Sequence, residues 1–255
     1  MTQFIPKKPN DDVNVSRETY LSEAFYLVAA TALLSGGLIF VLFFFVDVAV
    51  RLIPTDAEAM LLDTFVEQFP TASNEAEDEL LALTNQLAQH WDDNPYQIRT
   101  RILEEEVPNA FAVPGGMILV TQGMLDLTTS KEALAFVLAH ELGHFYHRDH
   151  LRGLSRGLLL KLLLFTSGLN QSMPLIENSA QLTMLYHSRG QEIAADRFAL
   201  ELLHREFGSV AGGVGFFKQL MAQQKQDLTP EFLRTHPVNQ TRLNGIEEYS
   251  RNLLR

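Results

Sequence analysis

The stretch Ala139-His140-Glu141-Leu142-Gly143-His144-Phe145 places a histidine–glutamate–x–x–histidine pattern inside an apolar run. Residues four apart on a helix lie on the same face, so His140 and His144 direct two imidazole rings to one point. Two such rings suit a tetrahedral metal ion such as zinc. Glu141 is adjacent to the first histidine but rotated away, where a general base can reach a metal-activated water without becoming a ligand. The pattern therefore predicts a catalytic zinc site on a helix.

A catalytic zinc ion normally has three protein ligands, and the sequence offers two candidates for the third. His150 lies ten positions after His140, which is the metzincin spacing, but metzincins need a glycine where this chain has His147. Glu192 is the stronger candidate, because it lies on a predicted helix among small and apolar residues. Asp196 follows one turn later on the same face, where it could accept the free N–H of a ligand histidine. His147 and His150 are then expected to be surface residues at the end of the metal-binding helix.

Two short strands are predicted between Asn109 and Thr121, joined at Pro114-Gly115-Gly116. A preceding strand is indicated by the alternation of apolar and polar residues around 98–102. The pair is either a plain structural hairpin or contains an edge strand that accepts an extended peptide by main-chain pairing. On the second interpretation the substrate-binding residues are Asn109, Met117, Ile118, Leu119 and Val120.

Helical periodicity accounts for most of the remaining chain. A Thr129-x-x-Glu132 capping pattern places the start of the metal-binding helix near Ser130. Gly143 would weaken a helix interior, but between two ligands it can let another backbone approach closely. Other helices are predicted over 54–65, 80–91, 181–206, 216–221 and 243–253, with a core or membrane-surface helix over 158–165. The fold class is therefore mainly α with a small β-sheet (α+β).

No charged residue occurs from Ala24 to Val46, and the run is rich in Leu, Phe, Val and Ala. About 20 apolar residues suffice to cross a bilayer as a helix. A cleaved signal peptide has a shorter apolar core, and a core helix this apolar on all faces is unusual. We therefore expect one membrane anchor in contact with the lipid bilayer through residues 24–46. Basic residues are more frequent before the span than after it, so the positive-inside rule places the N-terminus in the cytoplasm and the catalytic domain outside it, periplasmic in a bacterium.

The chain of 255 residues has a formal net charge of −11 and no cysteine. The acidic balance argues against a nucleic-acid partner, because no basic face would offset the phosphates. A chain without thiols forms no disulfide and offers no thiolate ligand. One zinc ion per chain must therefore be held by histidine and carboxylate.

Four motifs follow one another along the chain: Asn109-Ala-Phe-Ala with its Pro-Gly-Gly turn, His140-Glu141-x-x-His144, Glu192-x-x-x-Asp196 and Thr235-His236-Pro237. In these motifs and their order, residues 75–248 resemble the zinc peptidases that include HtpX, BepA and the type I CAAX prenyl protease. The resemblance implies a mostly helical gluzincin domain with His140, His144 and Glu192 on zinc. It also implies that the strand Met117–Thr121 aligns the substrate backbone and that His236 lies near the site. This chain has one predicted membrane span, whereas some members of the family have several, so their membrane topology is not assigned to this chain.

Together these observations predict a membrane-anchored zinc endopeptidase that acts on polypeptides. Glu141 is the expected general base, and His236 is the candidate for stabilising the oxyanion. The alternatives for His236 are a loop histidine or a cap on the metal of the idle enzyme. The rival functions are a non-catalytic, zinc-stabilised membrane chaperone or assembly factor and a metzincin-like protease that uses His150.

The expected domain organisation follows from the same motifs. It comprises a cytoplasmic arm over 1–23, a transmembrane anchor over 24–50, a linker with a helix over 51–74 and a zinc metallopeptidase domain over 75–255. A role in quality control of membrane or envelope proteins is an expectation from the family resemblance.

Overall fold

A computed structural model describes residues 20–55, 57–58, 75–153, 155, 157, 187–224 and 232–254. The chain divides into two compact units, residues 1–45 and residues 46–255. Most of the predicted N-terminal arm and of the helix over 54–65 lies outside the described residues. The apolar run over 158–165 and the first residues of the helix predicted over 181–206 lie outside them as well.

Helix α1 spans Tyr20–Leu52 and contains 33 residues, more than the about 20 that cross a bilayer core. In the described parts of the chain it is the one helix long and apolar enough to span a membrane. Its large apolar side chains are exposed, and Leu33 and Leu34 each keep 76% of their surface accessible. The interpretation of this run as the core helix of a soluble domain therefore does not hold.

A small sheet contains three strands, β1 (Arg99–Leu103), β2 (Ala110–Val113) and β3 (Met117–Thr121). The strand order is β1-β3-β2, with β1 parallel and β2 antiparallel to β3. The predicted hairpin around Pro114-Gly115-Gly116 is confirmed, since β2 and β3 pair across it. The interpretation in which Met117–Thr121 is an edge strand that accepts a peptide does not hold, because β3 is the central strand. Both edges of β3 are occupied by neighbouring strands, because the chain before the hairpin returns to pair with β3 as β1.

After α1, the helices of the described residues are α2 (Glu75–Ala88), α3 (Gln122–Leu127), α4 (Lys131–Tyr146), α5 (Arg189–Phe207), α6 (Ala211–Gln224), α7 (Phe232–Thr235) and α8 (Gln240–Leu253). Helix α4 carries the histidine–glutamate–x–x–histidine pattern and packs against α2, α5 and α6. From Ala135 to Phe145 every residue of α4 is buried. Together with the small sheet, these helices confirm the predicted α+β class.

The helix boundaries follow from side-chain caps. Ser130 caps α4 by accepting from the N–H of Ala133, as the sequence predicts to within one residue. Helix α5 begins at Arg189 rather than in the region of residue 181, because Ser188 and Gln191 form a capping box there. Both helices that carry predicted metal ligands therefore have a fixed start.

The close approach of α4 and α5 depends on Gly143. A Cβ atom built on Gly143 would lie 2.8 Å from the Cα atom of Ala195 on α5. Real Cβ atoms do not come that close to backbone, so only glycine allows this crossing. The contact lies between His144 on one helix and Glu192 and Asp196 on the other, and it sets the distance between the predicted ligands.

We expect Gly143→Ala to destabilise the fold by about 1–3 kcal/mol, because the added methyl forces α4 and α5 apart. The matched control is Gly215→Ala on α6, where a Cβ atom meets nothing within 4 Å. A helix-interior alanine is there expected to be neutral or to stabilise by about 0.5–1 kcal/mol. Chemical denaturation of both variants measures the difference. Equal stability of the two variants would contradict the assigned role of Gly143.

Candidate metal centre

Four buried side chains come together from α4, α5 and the residue after α7. They are His140, His144, Glu192 and His236, and we call them the cluster. Their ligand atoms lie within 4.8 Å of one another. The Nε2 atoms of His140 and His144 are 3.1 Å apart, and Glu192 Oε1 lies 3.4 Å from His144 Nε2. His236 Nδ1 lies 3.1 Å from Glu192 Oε1 and 3.2 Å from His140 Nε2. The three predicted motifs thus meet in space.

The second nitrogen of each α4 histidine faces a carboxylate. Nδ1 of His140 lies 3.1 Å from Asp196 Oδ1, and Nδ1 of His144 lies 3.1 Å from Asp149 Oδ2. At His144 this contact is a hydrogen bond, so Nδ1 carries the hydrogen and Nε2 can turn its lone pair to the cluster. A metal-ligating histidine needs this tautomer. Nδ1 of His140 lies close to Asp196 but makes no hydrogen bond within the described residues. The donor set of imidazole nitrogens and one carboxylate therefore fits a zinc-type ion.

Burial and neighbouring charges shift the pKa values of the side chains in the cluster. Burial alone would lower the pKa of His144, but Asp149 and Glu192 raise it to about 10. Burial alone would raise the pKa of Glu192, but His236 and the two α4 histidines hold it well below its usual range. The raised pKa values of His140 and His144 mean that a metal ion bound to these two rings must displace protons from them.

Arg242 on α8 holds the carboxylates of α5, and the sequence analysis missed it. Its Nη1 lies 2.6 Å from Glu192 Oε2, while its Nε and Nη2 donate to the two oxygens of Asp196 at 2.8 and 2.7 Å. The side chain is buried. The bidentate contact leaves Asp196 little freedom to rotate. Asp196 in turn fixes His140, so Arg242 positions one predicted ligand directly and another through Asp196.

Glu141 is fully buried beside the cluster. Its Oε2 accepts a hydrogen bond from the backbone N–H of Ala112 on β2 at 2.8 Å. Its Oε1 makes no hydrogen bond within the described part of the chain and lies 3.6 Å from His236 Nε2. One oxygen of Glu141 is therefore fixed by the sheet, while the other faces the cluster.

His236 is held by α7, where its N–H donates to the carbonyl of Phe232 at 2.8 Å and the two rings stack. Its Nδ1 lies among the ligand atoms rather than beside them. This placement is that of a fourth donor, which corresponds to the predicted alternative of a cap on the metal.

His187, immediately before α5, was also missed. Its ring stacks on that of His144 at 3.8 Å with an interplanar angle of 13°. Burial, with the neighbouring His144 and His236, holds the pKa of His187 well below its usual value. The ring is therefore neutral near neutral pH, and it covers one face of a predicted metal ligand.

Several predicted residues lie elsewhere than expected. His150 is buried, not at the surface, and its Nε2 contacts Glu58 Oε1 at 2.6 Å outside the ligand cluster. His147 is half-buried. Asn109 is buried, and its side-chain oxygen accepts from the N–H of Ala110 at 3.0 Å. Met117, Ile118, Leu119 and Val120 are buried in the central strand β3.

Comparisons with known proteins give the family of the chain. The model of peptidase family M48 matches residues 74–250. The beta-barrel assembly-enhancing protease of Yersinia pestis is 27% identical over 209 residues, which cover 74% of this chain and 43% of that protein. The mitochondrial metalloendopeptidase OMA1 of Schizosaccharomyces pombe is 27% identical over 157 residues, 58% of this chain and 45% of its own. The Arabidopsis thaliana protein of that name is 31% identical over 146 residues, which cover 55% of this chain and 29% of that protein. The chain spans less than half the length of these relatives.

We expect Arg242→Gln to weaken zinc binding about 10–100-fold, because Glu192 and Asp196 lose the group that orients them. Competition with a chromogenic zinc chelator measures the affinity. Arg251→Gln is the control, since Arg251 lies exposed on the same helix. An Arg242→Gln variant that binds zinc as tightly as the wild type would show that the carboxylates are held without it.

Proposed function

The chain belongs to peptidase family M48, and we propose that it is a membrane-anchored endopeptidase that uses one zinc ion per chain. The observation that carries this proposal is the convergence of His140, His144 and Glu192 with Glu141 beside them. A structural metal site needs no acidic residue with an oxygen turned to the cluster, whereas hydrolysis does.

Zinc, when bound to His140, His144 and Glu192, supplies Lewis acidity that polarises a peptide carbonyl and acidifies water. Glu141 is the general base in this proposal. Its Oε1 takes a proton from the attacking water and returns it to the leaving amine. Because Ala112 fixes Oε2 at 2.8 Å, the carboxylate presents Oε1 in one orientation and loses little entropy in the reaction.

Because β3 is the central strand, it has no free edge for a substrate, and the proposed substrate strand is the edge strand β2. Among the described residues, each of the two edge strands has an N–H that donates to a carboxylate, Ile102 of β1 to Glu77 Oε1 at 2.9 Å and Ala112 of β2 to Glu141 Oε2 at 2.8 Å. In β2 that carboxylate is the proposed general base, so β2 is the edge strand beside the site, and its main-chain carbonyls are the groups that a peptide would contact. We propose that an extended polypeptide pairs along β2 by main-chain hydrogen bonds, with Asn109 at its start. Residues 117–120, which the sequence predicts to bind substrate, lie in β3 and pair with the inner edge of β2.

His236 is retained as a catalytic candidate with two roles. Its Nε2, 3.6 Å from Glu141 Oε1, faces the position where charge would develop on the carbonyl oxygen. Its Nδ1 within the ligand set supports the second role, in which it would serve as a further ligand of the metal ion in the idle enzyme.

Anchoring to the membrane rests on α1. We place the N-terminus in the cytoplasm and the peptidase domain outside it, because Lys7, Lys8 and Arg17 precede the helix and Arg51 is near its end. The similarity to a beta-barrel assembly-enhancing protease supports a role in quality control of membrane or envelope proteins. The alternative is a non-catalytic zinc-stabilised chaperone, and the buried Glu141 favours the enzyme over it.

We expect Glu141→Gln to keep one zinc per chain and to lose nearly all cleavage of casein, because an amide cannot take the proton. Removal of such a base typically costs about 10²–10⁴-fold in rate. The control is Glu132→Gln, an exposed residue on the same helix. Metal analysis and cleavage are measured on the same full-length preparations.

Near-normal turnover in Glu141→Gln would refute the assignment of the base. Bound zinc without cleavage in the wild type as well would favour the chaperone alternative or a site closed by His236. His236→Ala then tests the closed site, since a gain of cleavage in this variant would show that His236 had closed an active enzyme.

A further inference from the structure

Glu58 is a fully buried carboxylate that none of the catalytic roles above uses. It lies six residues along the chain after Leu52, the last residue of α1, and before the family match that begins at residue 74. A charged side chain is rarely buried to this degree unless several groups pair with it. Its partners therefore indicate what it does.

The carboxylate of Glu58 accepts four hydrogen bonds. Oε1 accepts from His150 Nε2 at 2.6 Å and from the backbone N–H of Gly115 at 3.0 Å. Oε2 accepts from Arg148 Nη2 at 3.1 Å and from the Tyr96 hydroxyl at 3.2 Å. A carboxylate has about four acceptor positions, so every one of them is used.

Two of these partners belong to the turn that ends the metal-binding helix. Arg148 and His150 flank Asp149, which contacts Nδ1 of His144 at 3.1 Å. The other ring nitrogen of His150 lies 3.2 Å from the carbonyl oxygen of His144. Arg148 has a φ of 57°, which costs a residue with a side chain about 1 kcal/mol or more. Glu58 therefore holds a strained turn that fixes a predicted ligand.

A third partner belongs to the turn on the other side of the site. Gly115 lies between β2 and β3 and has a φ of 87°, a conformation that favours glycine. Strand β2 ends two residues earlier, and its Ala112 holds Glu141. The N–H of Gly115 thus links Glu58 to the strand that orients the general base and, as proposed above, the substrate.

The polar partners keep Glu58 charged. Burial alone would raise the pKa of Glu58, but His150, the N–H of Gly115 and Arg148 lower it. Burial and the charge of Glu58 raise the pKa of Tyr96, whose hydroxyl remains a donor. An amide at position 58 would put an NH₂ group against donors, so the isosteric Glu58→Gln change breaks the arrangement without changing its shape.

We propose that Glu58 is a positioning residue that ties the chain leaving the membrane helix to both the metal-helix turn and the substrate-strand turn. Its kinetic consequence rests on the proposed peptidase function, whereas its structural consequence does not. Without the carboxylate, the two turns move independently, and Glu141 and His144 are no longer held at a fixed position relative to each other.

The test compares full-length wild type, Glu58→Gln and the control Glu79→Gln, an exposed residue on α2, in lipid nanodiscs. Hydrogen exchange is followed by mass spectrometry on peptides from 110–118, 144–153, α5 and α8. We expect Glu58→Gln to exchange about tenfold faster in 110–118 and 144–153, because charge-assisted hydrogen bonds are lost, with α5 and α8 unchanged. Zinc content stays at one per chain, and kcat for casein falls about 10–100-fold with a smaller change in KM.

Unchanged exchange in either of the two turns would overturn the proposal, whatever the activity. If Glu58→Gln unfolds, Arg148→Gln decides, since it removes one of the four contacts. Faster exchange in both turns of that variant supports the proposal, and wild-type exchange overturns it. A wild type that cleaves nothing would count against the proposed function only, because the exchange measurement still decides the role of Glu58.

Discussion

The contacts of His140 and His144 with two aspartates are the constraint on which the rest of the site depends. Nδ1 of His144 hydrogen-bonds to Asp149, and Nδ1 of His140 lies 3.1 Å from Asp196 Oδ1, so both rings are oriented with their Nε2 atoms in one region. Asp196 reaches His140 from α5, and Asp149 reaches His144 from the turn after α4. The two helices and that turn must therefore be placed together before a metal ion can be held.

This arrangement concentrates negative charge in the core. Four carboxylates are buried around His140 and His144, namely Asp149, Asp196, Glu141 and Glu192. Two guanidinium groups contact them, Arg242 at Asp196 and Glu192 and Arg152 at Asp149. A divalent cation would bring the balance of these six groups to neutrality. Since isolated buried charge is costly, much of the free energy of metal binding is expected to appear as stability of the fold.

The sequence alone was sufficient for the parts of the site that depend on local spacing. His140, His144 and Glu141 follow from helical periodicity, and Gly143 from its position between two ligands. Strand order is not local, which is why the sequence left open whether Met117–Thr121 is an edge strand, although β1 in fact pairs with its second side. No periodicity links Asp149 or Arg242 to the ligands that they contact. Their roles follow from tertiary packing, and the only signal in the sequence is the proximity of Asp149 to the histidine pattern.

His150 shows most clearly how a distant residue overrides a local expectation. A histidine at a polar helix end is expected in solvent, yet Glu58, 92 positions earlier, gives it a buried partner. The region matched by the family begins at residue 74, whereas the compact unit begins at residue 46. A chain cut at the family boundary would retain every proposed metal ligand and leave Arg148, His150 and the N–H of Gly115 without their shared acceptor. The buried hydrogen bonds of the peptidase domain therefore extend beyond the matched region, toward the membrane helix, at least as far as Glu58.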